Sequence, residues 1–152
     1  MTENKIDPVP GGYPQVIPFL IVKGAPGLID FLEKVFGAEE TDRVTMPDGR
    51  VAHSEVKIGE SMIMISETSE EYPPNPTMIH IYIDDVDGVY KRAMEAGAES
   101  VMAPEDRFYG DRACMVKDAT GNSWGIGTRI REIPPEEIEK LPESEAWKQR
   151  II

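Results

Sequence analysis

The sequence predicts an α+β domain built from two tandem β-α-β-β-β modules. Apolar residues change from strand spacing to helix spacing and back in the same order twice along the chain. The same local word also closes each helix, Phe36-Gly-Ala-Glu39 in the first half and Ala96-Gly-Ala-Glu99 in the second. A repeat of about 60 residues present only twice fits one supersecondary unit used twice within a domain, not a solenoid.

In the first module, Val16–Val22 reads as a buried strand, and Pro18 within it points to an edge position or a bulge. Leu28, Phe31, Leu32 and Val35 share one helical face between Pro26 and Gly37, residues that favour a helix start and stop. Strands follow near Glu40–Met46, Val51–Ile58 and Ser61–Ser66. A Pro47-Asp-Gly49 turn joins the first two, and a two-residue Gly59-Glu60 hairpin joins the last two. The second module repeats this order, with a strand at Met78–Ile83 and a helix at Val86–Ala96. Its further strands fall near Glu99–Ala103, Asp111–Lys117 and Ser123–Thr128. The resulting plan is a lead-in over 1–12, one domain over 13–130 and a helical tail over 131–152. Within the domain, module one takes 13–68, a proline-rich linker 69–76 and module two 77–130. Pro134, Pro135 and the acids after them favour a short helix near 135–141. Trp147 suggests a tail that docks on the body or on a partner, or else an end that is only partly ordered.

Composition narrows the function classes. The apolar fraction of 40% and charged fraction of 29% are those of an ordinary globular protein with a core, not of a disordered chain. A net charge of −12 with lysines and arginines scattered singly, as at Lys34, Arg43, Lys57 and Arg92, argues against nucleic acid and anionic membranes as partners. The lone Cys114 excludes an internal disulfide and a multi-cysteine zinc site. Its strand position predicts a buried, inert thiol, which makes it a weak candidate nucleophile. Met1 to Gly12 holds no apolar run of signal-peptide length, and Val16–Val22 is too short to span a bilayer. A cytoplasmic location is the expectation.

The modules carry specific words: Pro18-Phe-Leu-Ile-Val22, Asp30-Phe-Leu-Glu-Lys-Val-Phe-Gly-Ala38, Asp48-Gly-Arg-Val-Ala-His-Ser-Glu55 and Ile83-Asp-Asp-Val-Asp87. Pro104-Glu-Asp-Arg-Phe-Tyr-Gly-Asp-Arg112 and the stretch from Asp118 to Trp124 follow in order. Together these resemble the vicinal-oxygen-chelate superfamily, the glyoxalase, bleomycin-resistance and dioxygenase group, and within it the PhnB-like branch. The resemblance implies two modules paired around a cupped cavity, the glyoxalase/bleomycin resistance fold. Members of that group include lyases, isomerases, ring-cleaving dioxygenases and metal-free binding proteins, so fold does not choose the activity. Members often dimerise, so a homodimer is expected here.

Metal-dependent relatives place four His or Glu ligands on the first and last strands of each module. Carried over by strand register, those positions fall near Ile17, Met64, Met78 and Gly125, none of which suits a hard divalent cation. The expectation is a protein without the usual metal. Strand parity offers another constellation. If Gly59-Glu60 is a two-residue turn, Glu55 lies opposite Met64 and His53 opposite Ser66, so both face the cup, and His80 faces it two residues after Met78. His53, Glu55 and His80 are therefore the candidate acid/base residues of an enzyme, or the alternative ligands of a divalent metal. The competing reading is a polar hairpin and a satisfied interior histidine. Phe19, Met64, Met78 and Tyr82 are the candidate lining for a small organic ligand, and Met62, Met102 and Met115 suit either that lining or ordinary core. Phe108, Tyr109 and Arg112 would form a rim, with Arg112 pairing either with an anionic ligand group or with Asp106 or Asp111. Two hypotheses follow: a metal-free binding module, or a lyase, isomerase or dioxygenase-like enzyme of the same fold. A vestigial cavity in a structural dimer is a third.

Overall fold

A computed structural model describes residues 5–139. The elements follow the predicted order. Module one contains β1 (Phe19–Val22), α1 (Ala25–Phe36), β2 (Glu39–Thr45), β3 (Val51–Ile58) and β4 (Ser61–Glu67). Module two contains β5 (Met78–Tyr82), α2 (Val86–Glu95), β6 (Glu99–Asp106), β7 (Asp111–Lys117) and β8 (Ser123–Arg129), and a short α3 (Pro135–Glu139) follows. Each module forms one four-stranded sheet, ordered β1-β4-β3-β2 in the first and β5-β8-β7-β6 in the second. In both, the first strand runs parallel to the last and the remaining pairs are antiparallel. No helix among the described residues is long and apolar enough to cross a membrane. Trp147 lies outside the described residues.

Two boundaries differ from the sequence reading by more than one residue, and proline explains both. β1 starts at Phe19, not Val16, because Pro18 has no N–H to offer the ladder. Its carbonyl still accepts from the Met64 amide at 2.9 Å. β6 runs past Ala103 and Pro104 to Asp106, since it is an edge strand and its register shifts between Met102 and Glu105. That bulge houses the proline without costing a ladder bond.

The helices are fixed at both ends. The Glu67 carboxylate at the end of β4 accepts from the amides of Gly24 and Ala25 at 2.8 Å each, which satisfies and charge-complements the first turn of α1. Gly37, at φ 66°, closes α1 while its amide and that of Ala38 reach back to Glu33 and Leu32. Asp85 caps α2 by accepting from Gly88.

The core is a single cluster shared by both modules, including Leu20, Leu32, Val56 and Ile65 from the first and Val89, Cys114, Val116 and Ile126 from the second. The two helices pack on each other. Arg92 of α2 donates two hydrogen bonds to the Val35 carbonyl at the end of α1, at 3.2 and 3.3 Å. Phe36 meets the Trp124 ring at 5.3 Å. Each sheet therefore turns its helix-covered face to the common core. Alternation then sends every second strand residue to the opposite face, where Phe19, Met78 and Tyr82 are 49%, 46% and 61% exposed.

Candidate functional site

On the open face of the first sheet the register decides which side chains meet. Met64 pairs with Phe19 on one side and Glu55 on the other, and Glu55 pairs in turn with Asp42. This is the hairpin register the Gly59-Glu60 turn predicts, since Ile58 pairs directly with Ser61. His53 stands one pleat further along β3 and packs its ring 5.7 Å from that of Phe19. Its Nε2 lies 3.2 Å from Glu55 Oε1, a hydrogen bond in the tautomer that carries the proton on Nε2. The other carboxylate oxygen, Oε2, accepts a short hydrogen bond from the Tyr13 hydroxyl. Tyr13 arrives from the segment before β1, which crosses this face. Pro8, Pro10, Tyr13, Ile17, Glu55 and Met64 line a cavity of about 530 Å³ there.

Glu55 is buried, yet its carboxyl is held below its ordinary value of 4.5. The hydrogen bond from Tyr13 contributes most and that from His53 next, and together they outweigh desolvation. The same bond pushes the Tyr13 phenol up. The sign of the pH dependence follows. The stabilisation from Glu55 is complete above about pH 4.5 and is lost as pH falls through the lowered folded value. Between about pH 5 and about pH 3 the wild type should lose more stability than Glu55→Gln, as read by urea denaturation; parallel curves would show that the carboxylate is not coupled to folding.

The second sheet carries its own set. Met78, His80 and Tyr82 alternate outward along β5. The His80 ring lies over β8, where its register partner is Gly125. A β-carbon on Gly125 would stand 2.8 Å from His80 Nδ1, and one on Gly127 would stand 3.3 Å from Nε2. The two glycines thus leave the bed in which the imidazole rests. Gly125→Ala should displace His80 while lowering stability by roughly 1 kcal/mol or less, because the ring is exposed and can turn away. Shifted His80 imidazole resonances in NMR, with near-normal denaturation, would show this; unchanged resonances would not fit. Tyr82 packs edge-on to His80 at 5.0 Å, and its hydroxyl donates to Asp111 Oδ2 at 2.7 Å. That bond, with burial, raises the Tyr82 phenol. Asp111 is fully buried, and its Oδ1 has no hydrogen-bond partner. His80 and Tyr82 also line a groove of about 760 Å³ with Met62, Trp124, Pro14, Val16 and Pro18.

Residues 14–126 match the model of the glyoxalase/bleomycin resistance protein/dioxygenase superfamily. The chain belongs to that superfamily. Uncharacterised proteins of Mycobacterium bovis and Mycobacterium tuberculosis are each 34% identical over 143 residues. The match covers 87% of this chain and 94% and 84% of theirs, respectively. Among solved structures, TioX from Micromonospora sp. ML1 is similar at 24% identity and a TM-score of 0.67, covering 77% of this chain and 99% of TioX. TnmS3, an antibiotic-binding protein from Streptomyces sp. CB03234, is similar at 22% identity and a TM-score of 0.59, covering 74% and 93%. These structural likenesses establish the fold of paired modules.

Against the pattern of metal-dependent superfamily members, the donor set does not fit a hard divalent ion. The ligand-equivalent positions hold Ile17, Met64, Met78 and Gly125, which offer thioether or nothing. Among the described residues no group of three or more His, Cys, Asp or Glu could hold a metal. The candidate trio is divided within one chain: His53 and Glu55 are bonded on the first sheet, and His80 stands on the second, against a different cavity. Arg112 is not at the rim. It sits on the α2 side of its sheet, where Asp87 takes its Nε and Nη2 at 2.8 and 3.1 Å and Asp106 takes Nη1 at 2.9 Å. Strand parity explains this, since Asp111 and Ala113 take the open face and leave Arg112 and Cys114 to the other. Phe108 and Tyr109 occupy the β6–β7 turn with rings 5.2 Å apart, and burial raises the Tyr109 phenol. Cys114 is buried, its thiol pushed up to about 11 by desolvation. Met62 and Met115 are buried, yet parity with Met64 and Ala113 sets them on the open faces and outside the shared core cluster; Met64 and Met102 are half-buried and Met78 is exposed.

Proposed function

We propose that this chain is a metal-free, PhnB-like binding protein that holds a small organic molecule between module one of one copy and module two of a second. A homodimer of this kind presents two equivalent cavities related by a twofold axis. The observation that carries the reading is the exposure of Phe19 on one candidate face and of Met78, His80 and Tyr82 on the other. Phe19, Met64, His53 and Glu55 face out from one sheet and Met78, His80 and Tyr82 from the other, while the helix-covered faces share the core. Apolar side chains arrayed on an open sheet favour a covering surface. A second copy supplies that surface and brings the divided trio toward one hollow. Antibiotic binding by TnmS3, a protein of the same fold, supports a ligand-binding role. Nucleic acid and membranes are not partners in this reading, and the protein works in the cytoplasm.

Light scattering coupled to gel filtration should give twice the chain mass, and a thermal-shift screen of small metabolites should find a stabilising compound. Saturation at about 100 times the dissociation constant should add about 2.7 kcal/mol. A monomer at micromolar concentration, or a screen without any stabilisation, would be incompatible with the reading, and so would a stoichiometric divalent ion in protein purified without a histidine tag.

The bond between His53 and Glu55 favours a second reading, a lyase, isomerase or dioxygenase-like enzyme with His53 as general base, Glu55 as its orienting group and His80 facing them from the partner. His53→Ala combined with His80→Ala would then abolish turnover. Under the binding reading, ligand affinity largely survives that change.

A further inference from the structure

We infer that the molecule this protein holds is a hydrogen-bond donor, an apolar or aromatic body bearing a protonated amine. This rests on the cavity reading above and names its ligand class. Glu55 is buried in a cavity whose other walls are proline, aliphatic and thioether side chains with Tyr13 and Gln15, and among the described residues no lysine or arginine lines it. A carboxylate offers about four acceptor positions, and Tyr13 and His53 occupy two of them. Anchoring the segment before β1 accounts for Tyr13. A glutamine at position 55 would accept the same hydroxyl without the cost of a buried charge, so the charge itself calls for a counterpart.

The second face repeats the device. The Tyr82 hydroxyl is tied to Asp111, whose other oxygen is buried without a hydrogen-bond partner. With both hydroxyl hydrogens committed to carboxylates, the two phenol oxygens can only accept. The nearby guanidinium groups are engaged by acids, Arg107 by Glu105, Arg112 by Asp87 and Asp106, and Arg129 by Glu132. The faces thus offer acceptors, negative charge and aromatic surface from Phe19 and Tyr82, a combination that favours a cation over an anion.

Three probes sharing an indole ring test this by isothermal titration of the full chain: tryptamine (ammonium), tryptophol (hydroxyl) and indole-3-acetate (carboxylate). Tryptamine should bind at least about tenfold more tightly than indole-3-acetate, with tryptophol between them. In Glu55→Gln the tryptamine advantage over tryptophol should shrink to about twofold or less. Should that variant fail to fold by circular dichroism, the wild-type ranking alone decides. Indole-3-acetate binding as tightly as tryptamine, tryptophol matching tryptamine, or a folded Glu55→Gln that keeps the preference would each overturn the amine inference while leaving the cavity reading standing. Binding of none of the three would overturn the cavity reading and the amine inference with it.

Discussion

Asp118→Ala should cost the domain roughly 3–4 kcal/mol, the sum expected when a buried carboxylate serving several donors is removed. Asp118 lies in the turn between β7 and β8 and is nearly inaccessible. Its Oδ1 accepts from the Thr120 amide at 2.7 Å, the Thr120 hydroxyl at 2.6 Å and the Asn122 amide at 3.2 Å. Its Oδ2 accepts from the indole N–H of Trp124 at 2.7 Å. Trp124 is fully buried, and alanine would leave its N–H and the Asn122 amide in the interior without acceptors, at about 1–3 kcal/mol each. For a chain of this size the melting temperature should fall by roughly 10 °C. Asp118→Asn should fall between, because the amide keeps one oxygen for the turn and presents its NH₂ to the indole. Thermal unfolding followed by far-ultraviolet circular dichroism measures both variants. A loss below about 1 kcal/mol for alanine would mean that water replaces the carboxylate at little cost. The effect reaches the site as well, since Trp124 packs on Phe36 at the module junction and lines the groove beside His80.

Most of this architecture was legible because it is local and periodic. Alternation along β3 and β4 and the two-residue turn at Gly59-Glu60 fix the cross-strand partner of Glu55 without any long-range information. The helix faces were equally plain, since Leu28, Leu32 and Val35 are all buried at their predicted spacing. The failures are of a different kind. Tyr13 sits in a proline- and glycine-rich lead-in with no period, and its partner is 42 residues away in sequence. Only its hydroxyl, placed just before an apolar strand, hinted at a polar contact. Asp111 and Arg107 flank a turn, where charged residues are usually solvated, so nothing local announced that both are buried. The neighbours Phe108 and Tyr109 point Arg112 to a rim, but parity along β7 sets it on the helix side, where it meets Asp106, one of the two acids the sequence offers it. The division of His53 and Glu55 from His80 was not legible either. Parity says which face a residue takes, but not whether two faces of one chain meet each other or meet those of a second chain.

That question has an all-or-none answer in a subunit-mixing experiment. Met64→Arg blocks a module-one face and Met78→Arg a module-two face, since each puts a long charged side chain where an apolar one faces the hollow. Each variant alone should bind poorly any probe the wild type binds, because every cavity then carries one defect. Coexpressed in equal amounts, the two chains assemble at random, and about half of the dimers hold one of each. If cavities form between copies, one cavity of each mixed dimer combines the intact module one of the Met78→Arg chain with the intact module two of the Met64→Arg chain. The other cavity collects both defects. Titration should therefore recover about a quarter of the wild-type number of sites, at wild-type affinity. If the modules instead closed on each other within a chain, every cavity in the mixture would keep its single defect and mixing would recover nothing. A Met64→Arg/Met78→Arg double variant mixed with wild type provides the converse control. There, pairing between copies leaves each cavity of a mixed dimer with one defect, so about a quarter of the sites should survive, whereas closure within a chain preserves about half. The outward faces of Phe19 and Tyr82, exposed by a helix layer that belongs to both modules, make recovery on coexpression the expected result.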